Sequence, residues 1–113
     1  MNKVEAIIRP EKVAVVTEAL AQAGFVGLNV SSVTGRGVQR GVVHQGRGGV
    51  GVIQDMLPKA KLEVVCKESD TDKVAAAILE SAHTGSIGDG KIFVTPIAQA
   101  IRVRTGESGD AAL

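Results

Sequence analysis

Lys59-Ala60-Lys61-Leu62-Glu63-Val64-Val65-Cys66 alternates, setting Leu62, Val64 and Cys66 on one side of an extended chain and Lys59, Lys61 and Glu63 on the other. Successive side chains of a strand point to opposite faces, so this stretch predicts a half-buried strand with a charged outer face. Upstream, Lys3-Val4-Glu5-Ala6-Ile7-Ile8-Arg9 keeps the same rhythm, with Val4, Ala6 and Ile8 on one face, and ends at Pro10. From Glu11 to Ala23 the period changes: Val13, Val16, Leu20 and Ala23 recur three or four residues apart, and Gly24 stands where a helix stops. Val26, Leu28 and Val30 then alternate, continuing through Val33 toward Gly35, and predict a second strand. Downstream of Cys66, Asp70 or Thr71 caps a second helix whose apolar stripe is Val74, Ile78 and Ala82, up to His83. Gly85, Gly88 and Gly90 mark a turn, and Ile92-Phe93-Val94 a short fourth strand before Pro96. A brief element carrying Arg102 and Arg104 and a polar tail follow. The order βαββαβ predicts an α+β, ferredoxin-like fold with an antiparallel sheet. Such a fold specifies no function by itself.

Residues 35–55 break the pattern. They hold seven of the fourteen glycines together with Arg36, Arg40 and Arg47, show no sustained period, and predict a long mobile loop of the kind that usually carries function. At 113 residues the chain reads as one domain, small enough to gain core by assembling with copies of itself. Thirteen Lys and Arg balance twelve Asp and Glu, which argues against a sheath for nucleic acid. Apolar runs fall well short of the roughly 20 residues that span a bilayer, so membrane insertion is not expected. The single cysteine, Cys66, excludes an intramolecular disulfide, and no segment reads as a secretion signal, so the cytoplasm is the expected compartment.

Gly85-Ser-Ile-Gly-Asp-Gly90-Lys91 has the glycine and lysine spacing of a phosphate-binding P-loop. Ile92 stands where that motif has Ser or Thr, and the loop runs from helix to strand, so it is not a Walker motif. What remains is the chemistry of exposed amides beside a lysine, set against a plain helix-to-strand turn. Arg102 and Arg104 are two apart, so an extended segment would aim both guanidinium groups one way and suit phosphate oxygens; a solvated edge is the plainer reading. Gly35-Arg-Gly37-Val38-Gln39 offers a close-approaching backbone and a side-chain amide. His44 and His83 have no partner at zinc-ligand spacing, no catalytic triad is readable, and Cys66 reads as a packed thiol.

Taken together these segments resemble the PII signal transduction proteins over nearly the whole chain, from Val4-Glu-Ala-Ile-Ile-Arg-Pro10 to Ile101-Arg-Val-Arg-Thr-Gly-Glu107. Thr84-Gly-Ser-Ile-Gly-Asp-Gly-Lys-Ile-Phe-Val94 is the most specific match, Gly35-Arg-Gly-Val-Gln-Arg-Gly41 is similar to the start of the family's T-loop, and Leu57-Pro-Lys-Ala-Lys-Leu-Glu-Val-Val65 to its end. The resemblance implies a T-loop at 35–57, a phosphate-binding loop at 84–91 and a C-terminal loop and tail at 102–113. It implies a homotrimer with ATP or ADP in clefts between subunits, held by Gly35, Gly37, Val38, Gln39, Glu63, Val65, Gly88, Asp89, Gly90, Lys91, Arg102 and Arg104. Val65 would meet the adenine through its backbone. It further implies 2-oxoglutarate on Gln39 and Lys59 beside MgATP, with Gln39 reaching the Mg²⁺ only when both ligands are present. Arg47 stands where the family's ammonium-transporter regulators insert an arginine. The implied role is control of a target such as an ammonium transporter, nitrogenase or a nitrogen-assimilation enzyme, by T-loop contact and with peripheral recruitment to a membrane transporter.

The chain departs from the family at Asn29, often threonine, and in the T-loop, which reads as one residue longer and holds Gly48-Gly-Val-Gly-Val-Ile53 where many members carry a modified tyrosine. No tyrosine occurs anywhere, which points to a nitrogenase-associated or otherwise divergent subgroup. Two other readings compete: a small ATP-hydrolysing or phosphotransfer enzyme, which lacks a hydroxyl after Lys91 and an evident base, and a PII-like sensor of another metabolite. An RNA-binding sheet would need aromatic stacking residues, and the chain has two Phe and no Tyr or Trp.

Overall fold

In chain order the elements are β1 (Asn2–Ile8), α1 (Val13–Gln22), β2 (Asn29–Gly35), β3 (Val42–Gln45), β4 (Gly51–Gln54), β5 (Leu57–Cys66), α2 (Thr71–Ala82) and β6 (Lys91–Pro96). The computed structural model describes residues 1–37, 42–45, 51–54 and 56–113. Of the residues singled out in the sequence, Val38, Gln39, Arg40 and Arg47 lie outside that set.

The two strands with the clearest alternation form the centre of the sheet. β1 and β5 run antiparallel with Val4 opposite Val64, Ala6 opposite Leu62 and Ile8 opposite Ala60, so their buried positions merge into one apolar surface. β2 pairs with the free side of β5 and β6 with that of β1, giving the antiparallel order β2-β5-β1-β6 expected of the ferredoxin-like fold. The helices cover that surface: Val16 and Leu20 of α1 and Val74 and Ile78 of α2 have no solvent exposure and share one core cluster with the strands. Cys66 is buried in the same cluster, and that burial pushes its thiol above the ordinary value, as suits a packed side chain.

Gly24 ends α1 in the left-handed region, φ 97°. The Phe25 amide donates to Leu20 O at 2.8 Å and the Gly24 amide to Ala21 O at 3.0 Å, the two bonds of a Schellman cap, which seat Phe25 against the core. Ala23 is exposed, because the cap turns the chain there. A 3-10 turn, Pro10–Lys12, precedes α1, since proline suits a helix start but fixes the chain in a tighter turn here. At α2, Asp70 occupies the cap position without making a side-chain cap bond, because the 3-10 turn Glu68–Asp70 leads in with Asp70 already helical. His83 closes that helix, its amide bonded to Leu79 O at 3.2 Å.

Three boundaries differ from expectation. β2 begins at Asn29, so Val26, 77% exposed, lies outside it; the Schellman cap redirects the chain before pairing starts. β5 begins at Leu57, ahead of the strand expected from Lys59, so Pro58 sits inside it opposite Thr34, where only β2 pairs and one missing N–H costs no ladder bond to β1, whose pairing begins at Ala60. The loop expected at 35–57 contains a strand pair, with Val42 opposite Gln54 and Gln45 opposite Gly51. Val42, Val43, Val52 and Ile53 are β-branched residues that favour pairing, a signal masked by the glycines around them.

Core and boundary are separable by substitution. Leu62→Ala, at a site with no exposure, should cost about 2–5 kcal/mol in chemical denaturation, whereas Val26→Ala should stay within about 0.5 kcal/mol.

Candidate functional site

The last residues of β1, the first of β5 and β6, and the end of β2 all meet at one end of the sheet, and the turn joining α2 to β6 folds over that end. Three glycines of this turn adopt conformations that other residues resist: Gly85, Gly88 and Gly90 have φ of 88°, 101° and 100°. At Gly90 a Cβ would fall 1.7 Å from Ile7 O, so β1 and the turn touch backbone to backbone. A side chain there would force the turn off the sheet.

Asp89 locks the turn. Its carboxylate accepts the Thr84 and Gly85 amides, both at 2.9 Å, the Thr84 hydroxyl, and Arg9 Nε at 3.2 Å. The Thr84 hydroxyl foremost, with the amides and Arg9, stabilises the charged form and holds this carboxyl well below the usual carboxylate range. The Ser86 amide bonds to Thr84 Oγ1 at 3.1 Å. The amides of residues 84–86 are thereby consumed and Ser86–Asp89 form a hydrogen-bonded turn, while the amides of Ile87 and Gly88 make no hydrogen bond among the described residues.

The carbonyls of the same peptides are engaged from the sheet. Arg9 Nη2 donates to Ile87 O at 2.7 Å, and Lys59 Nζ to Gly88 O at 2.6 Å. Lys91 is exposed at the start of β6, so Arg9, Lys59 and Lys91 surround the turn against the one carboxylate of Asp89. Unused amides, left-handed glycines and excess positive charge make an anion cradle. A neighbouring cavity of about 170 Å³ between α2 and β6 is lined mainly by Ile8, Ile78, Leu79, Ala82 and Ile92, with His83, Asp89, Gly90 and Lys91 at its polar side. It lies against the turn and is too apolar to be the cradle itself.

The residues singled out in the sequence fall into three groups. Gly35, Lys59, Gly88, Asp89, Gly90 and Lys91 come together at this end of the sheet; Lys59 Cγ lies 3.9 Å from where a Cβ of Gly35 would be, and Gly37 follows with open space around it. Glu63 and Val65 lie further along β5. Glu63 pairs with Lys3 at 3.8 Å and Lys61 at 3.6 Å, and Val65 is exposed opposite Lys3. Arg102 and Arg104 follow the far end of β6 in the chain.

The two arginines do not form the same-face pair expected of an extended segment. Residues 101–108 close into a small hairpin, with Ile101 bridged to Ser108 and the Gly106 amide on Arg102 O at 2.7 Å, so Arg104 lies in the turn. Gly106, at φ 75°, makes that turn possible. Arg102 bonds Glu107 Oε1 at 3.4 Å and Leu113 O at 3.3 Å, while Arg104 is exposed. Arg9 is the residue that the sequence reading missed. It appears there only as the end of a strand, and nothing local reveals partners about eighty positions away.

The chain is a ferredoxin-like α+β domain with a glycine-rich, positively charged turn folded over one end of its sheet. It matches the family described as nitrogen regulatory protein P-II over residues 1–107. It is 48% identical over 113 residues to the nitrogen regulatory protein P-II of Azospirillum brasilense, covering all of both chains. It is equally similar, at 48%, to nitrogen regulatory protein P-II 2 of Methanothermobacter thermautotrophicus, covering all of this chain and 97% of that one. To nitrogen regulatory protein P-II 1 of Escherichia coli K12 it is 46% identical, again over the full length of both. The chain belongs to the P-II family of nitrogen regulatory proteins, and its role is signalling in nitrogen regulation, not catalysis. No helix among the described residues is long and apolar enough to cross a membrane.

Two outcomes test the turn. Gly90→Ala should destabilise the protein by roughly 2–5 kcal/mol, combining backbone strain with overpacking against Ile7 O, as read by denaturant unfolding. Because the folded carboxyl of Asp89 is depressed, its stabilising contribution is complete above the ordinary value of 3.8 and is lost as pH falls through the lower folded value. A ¹³C carboxyl titration should therefore place Asp89 below 3.8, and Thr84→Val should move it upward toward that value.

Proposed function

We propose that the chain is a nucleotide-sensing regulator that binds ATP or ADP with its phosphates in the 84–91 turn and transmits the bound state to a nitrogen-metabolism target through the 35–57 segment. The observation that carries this reading is the pair of adjacent amides at Ile87 and Gly88, without a partner among the described residues, amid three cations. Such a pair suits phosphate oxygens, which need several short donors and a compensating charge. Gly35 lies beside Lys59, and Gly37, Val38 and Gln39 follow it in the chain, the order that the family resemblance implies for this site. Val65 and Glu63 of β5 are the adenine-side residues of this reading.

Arg102 and Arg104 belong to the same site only if they come from another copy of the chain. β6 runs from the cradle toward the segment that bears the arginine hairpin, so in this reading a neighbouring copy supplies the arginines. A homotrimer with nucleotide clefts between subunits supplies both, and it explains why Arg104 is left exposed.

2-oxoglutarate beside MgATP would draw on Lys59, whose ammonium stands at the edge of the cradle, and on Gln39. Among the described residues no group of three His, Cys, Asp or Glu could hold a metal, so the Mg²⁺ of this reading enters with the ATP. Target contact falls to the 35–57 segment, with Arg47 as the residue that would engage an ammonium transporter; nitrogenase and nitrogen-assimilation enzymes are the other targets of this class. Such a regulator works in the cytoplasm, recruited to the membrane when its target is a transporter.

Calorimetry with ATP and ADP tests the reading. Both should bind without turnover, and Lys91→Ala or Arg104→Ala should each weaken ATP by about 1.5–3 kcal/mol. Unchanged affinity in both variants would remove the phosphate assignment. Light scattering should report a trimer, and a monomer with intact affinity would refute the shared cleft.

A further inference from the structure

A trans peptide points its C=O and N–H in opposite directions, so whatever grips a carbonyl also aims the next residue's amide. Arg9 Nη2 holds Ile87 O at 2.7 Å, and the amide on the other side of that peptide is Gly88 N–H, which has no partner among the described residues. The same guanidinium holds Asp89 through Nε at 3.2 Å, so its planar fork spans the peptide just before Gly88 and the side chain just after it. Contact is close: a Cβ at Gly88 would lie 3.3 Å from Arg9 Nη2. Arg9 itself follows β1, whose Ile8 is buried in the core, and is joined to Lys12 N by its carbonyl at 3.0 Å.

We propose that Arg9 is a positioning residue of the anion site, fixing the Ile87–Gly88 peptide so that the Gly88 amide faces the bound phosphate. Arg9 lies on the carbonyl side of that peptide and the ligand on its amide side, so Arg9 acts without touching the ligand. Lys59 holds the next carbonyl, Gly88 O, at 2.6 Å. The two differ in what substitution can preserve. A lysine at position 9 would keep the positive charge but could not span both a carbonyl and a carboxylate with a rigid fork. This role rests on the anion-binding reading of the turn.

The test compares Arg9→Lys and Arg9→Gln in the full-length protein by ATP calorimetry and by the ¹H–¹⁵N resonance of the Gly88 amide without ligand. Positioning predicts that both variants keep the wild-type circular dichroism, shift or broaden the Gly88 resonance, and lose ATP affinity by a similar factor of about ten or more. Wild-type affinity in Arg9→Lys with loss only in Arg9→Gln would mean that charge alone matters and would overturn the role, as would wild-type affinity in both. If the parent protein binds no ATP, the nucleotide reading fails separately and the Gly88 resonance decides: movement in both variants supports the role, and an unmoved resonance overturns it. Should the Arg9 variants not fold, Asp89→Asn weakens the same grip from the other side. A displaced Gly88 resonance in that variant supports the role and an unmoved one overturns it.

Discussion

The Asp89 carboxylate accepts hydrogen bonds from two amides, a hydroxyl and a guanidinium, and through them the turn between α2 and β6 is closed before any ligand arrives. The consequence is a division of labour among successive peptides. Amides 84–86 are spent on internal acceptors, whereas those of Ile87 and Gly88 find none among the described residues, and the Ile87 and Gly88 carbonyls are held from behind by Arg9 and Lys59. Gly90 then returns the chain to the sheet so tightly that Ile7 O excludes any side chain. Since Ile7 and Arg9 flank the buried Ile8, the turn inherits its position from the hydrophobic core. Core packing and donor geometry are thus connected through three residues at the end of β1.

That arrangement bears on how strongly an anion could be bound. A flexible glycine loop would lose much of its binding energy to the entropy of ordering, whereas a turn already fixed by Asp89 meets the ligand with its donors in place. Asp89 brings a negative charge, but four donors disperse it, and Arg9 lies directly against it. Lys59 and Lys91 remain to balance the ligand. Lys59 is in a different position from Arg9, because its ammonium holds a single carbonyl and can turn to a carboxylate placed beside the cradle.

Much of this was legible in the sequence, and the parts that were not share a physical reason. β1, β5 and the two helices declare themselves by local periodicity, since Val4, Ala6 and Ile8 or Val74, Ile78 and Ala82 need no knowledge of their partners. The glycines at 85, 88 and 90 announce a turn because only glycine accepts those backbone angles cheaply. Arg9 is silent, since its partners lie 78 and 80 positions away and an arginine at a strand end is ordinary. The Arg102 and Arg104 pair misled in the opposite way: spacing of two implies a shared face only if the segment is extended, and Gly106 bends it instead. The β3 and β4 pairing was hidden because glycine-rich flanks outweighed short β-branched runs.

The far end of the sheet poses the remaining problem, and its surface argues for how it is solved. Around the exposed Arg104, Val103 is 99% and Ile101 60% exposed, and on β6 Phe93 and Val94 are each 48% exposed. Apolar side chains this open, strung along an edge strand and the hairpin that follows it, are unfinished as a solvent surface. β2 on the opposite edge shows the same trait at Val30, 44% exposed. In the proposed homotrimer a second copy of the chain covers these residues and brings a cradle at the end of its own sheet. Contact between copies would then bury the apolar edge and carry Arg104 toward a phosphate in the same step. In the proposed homotrimer assembly and ligand binding become one problem, because Arg104 is mounted on the surface that assembly covers.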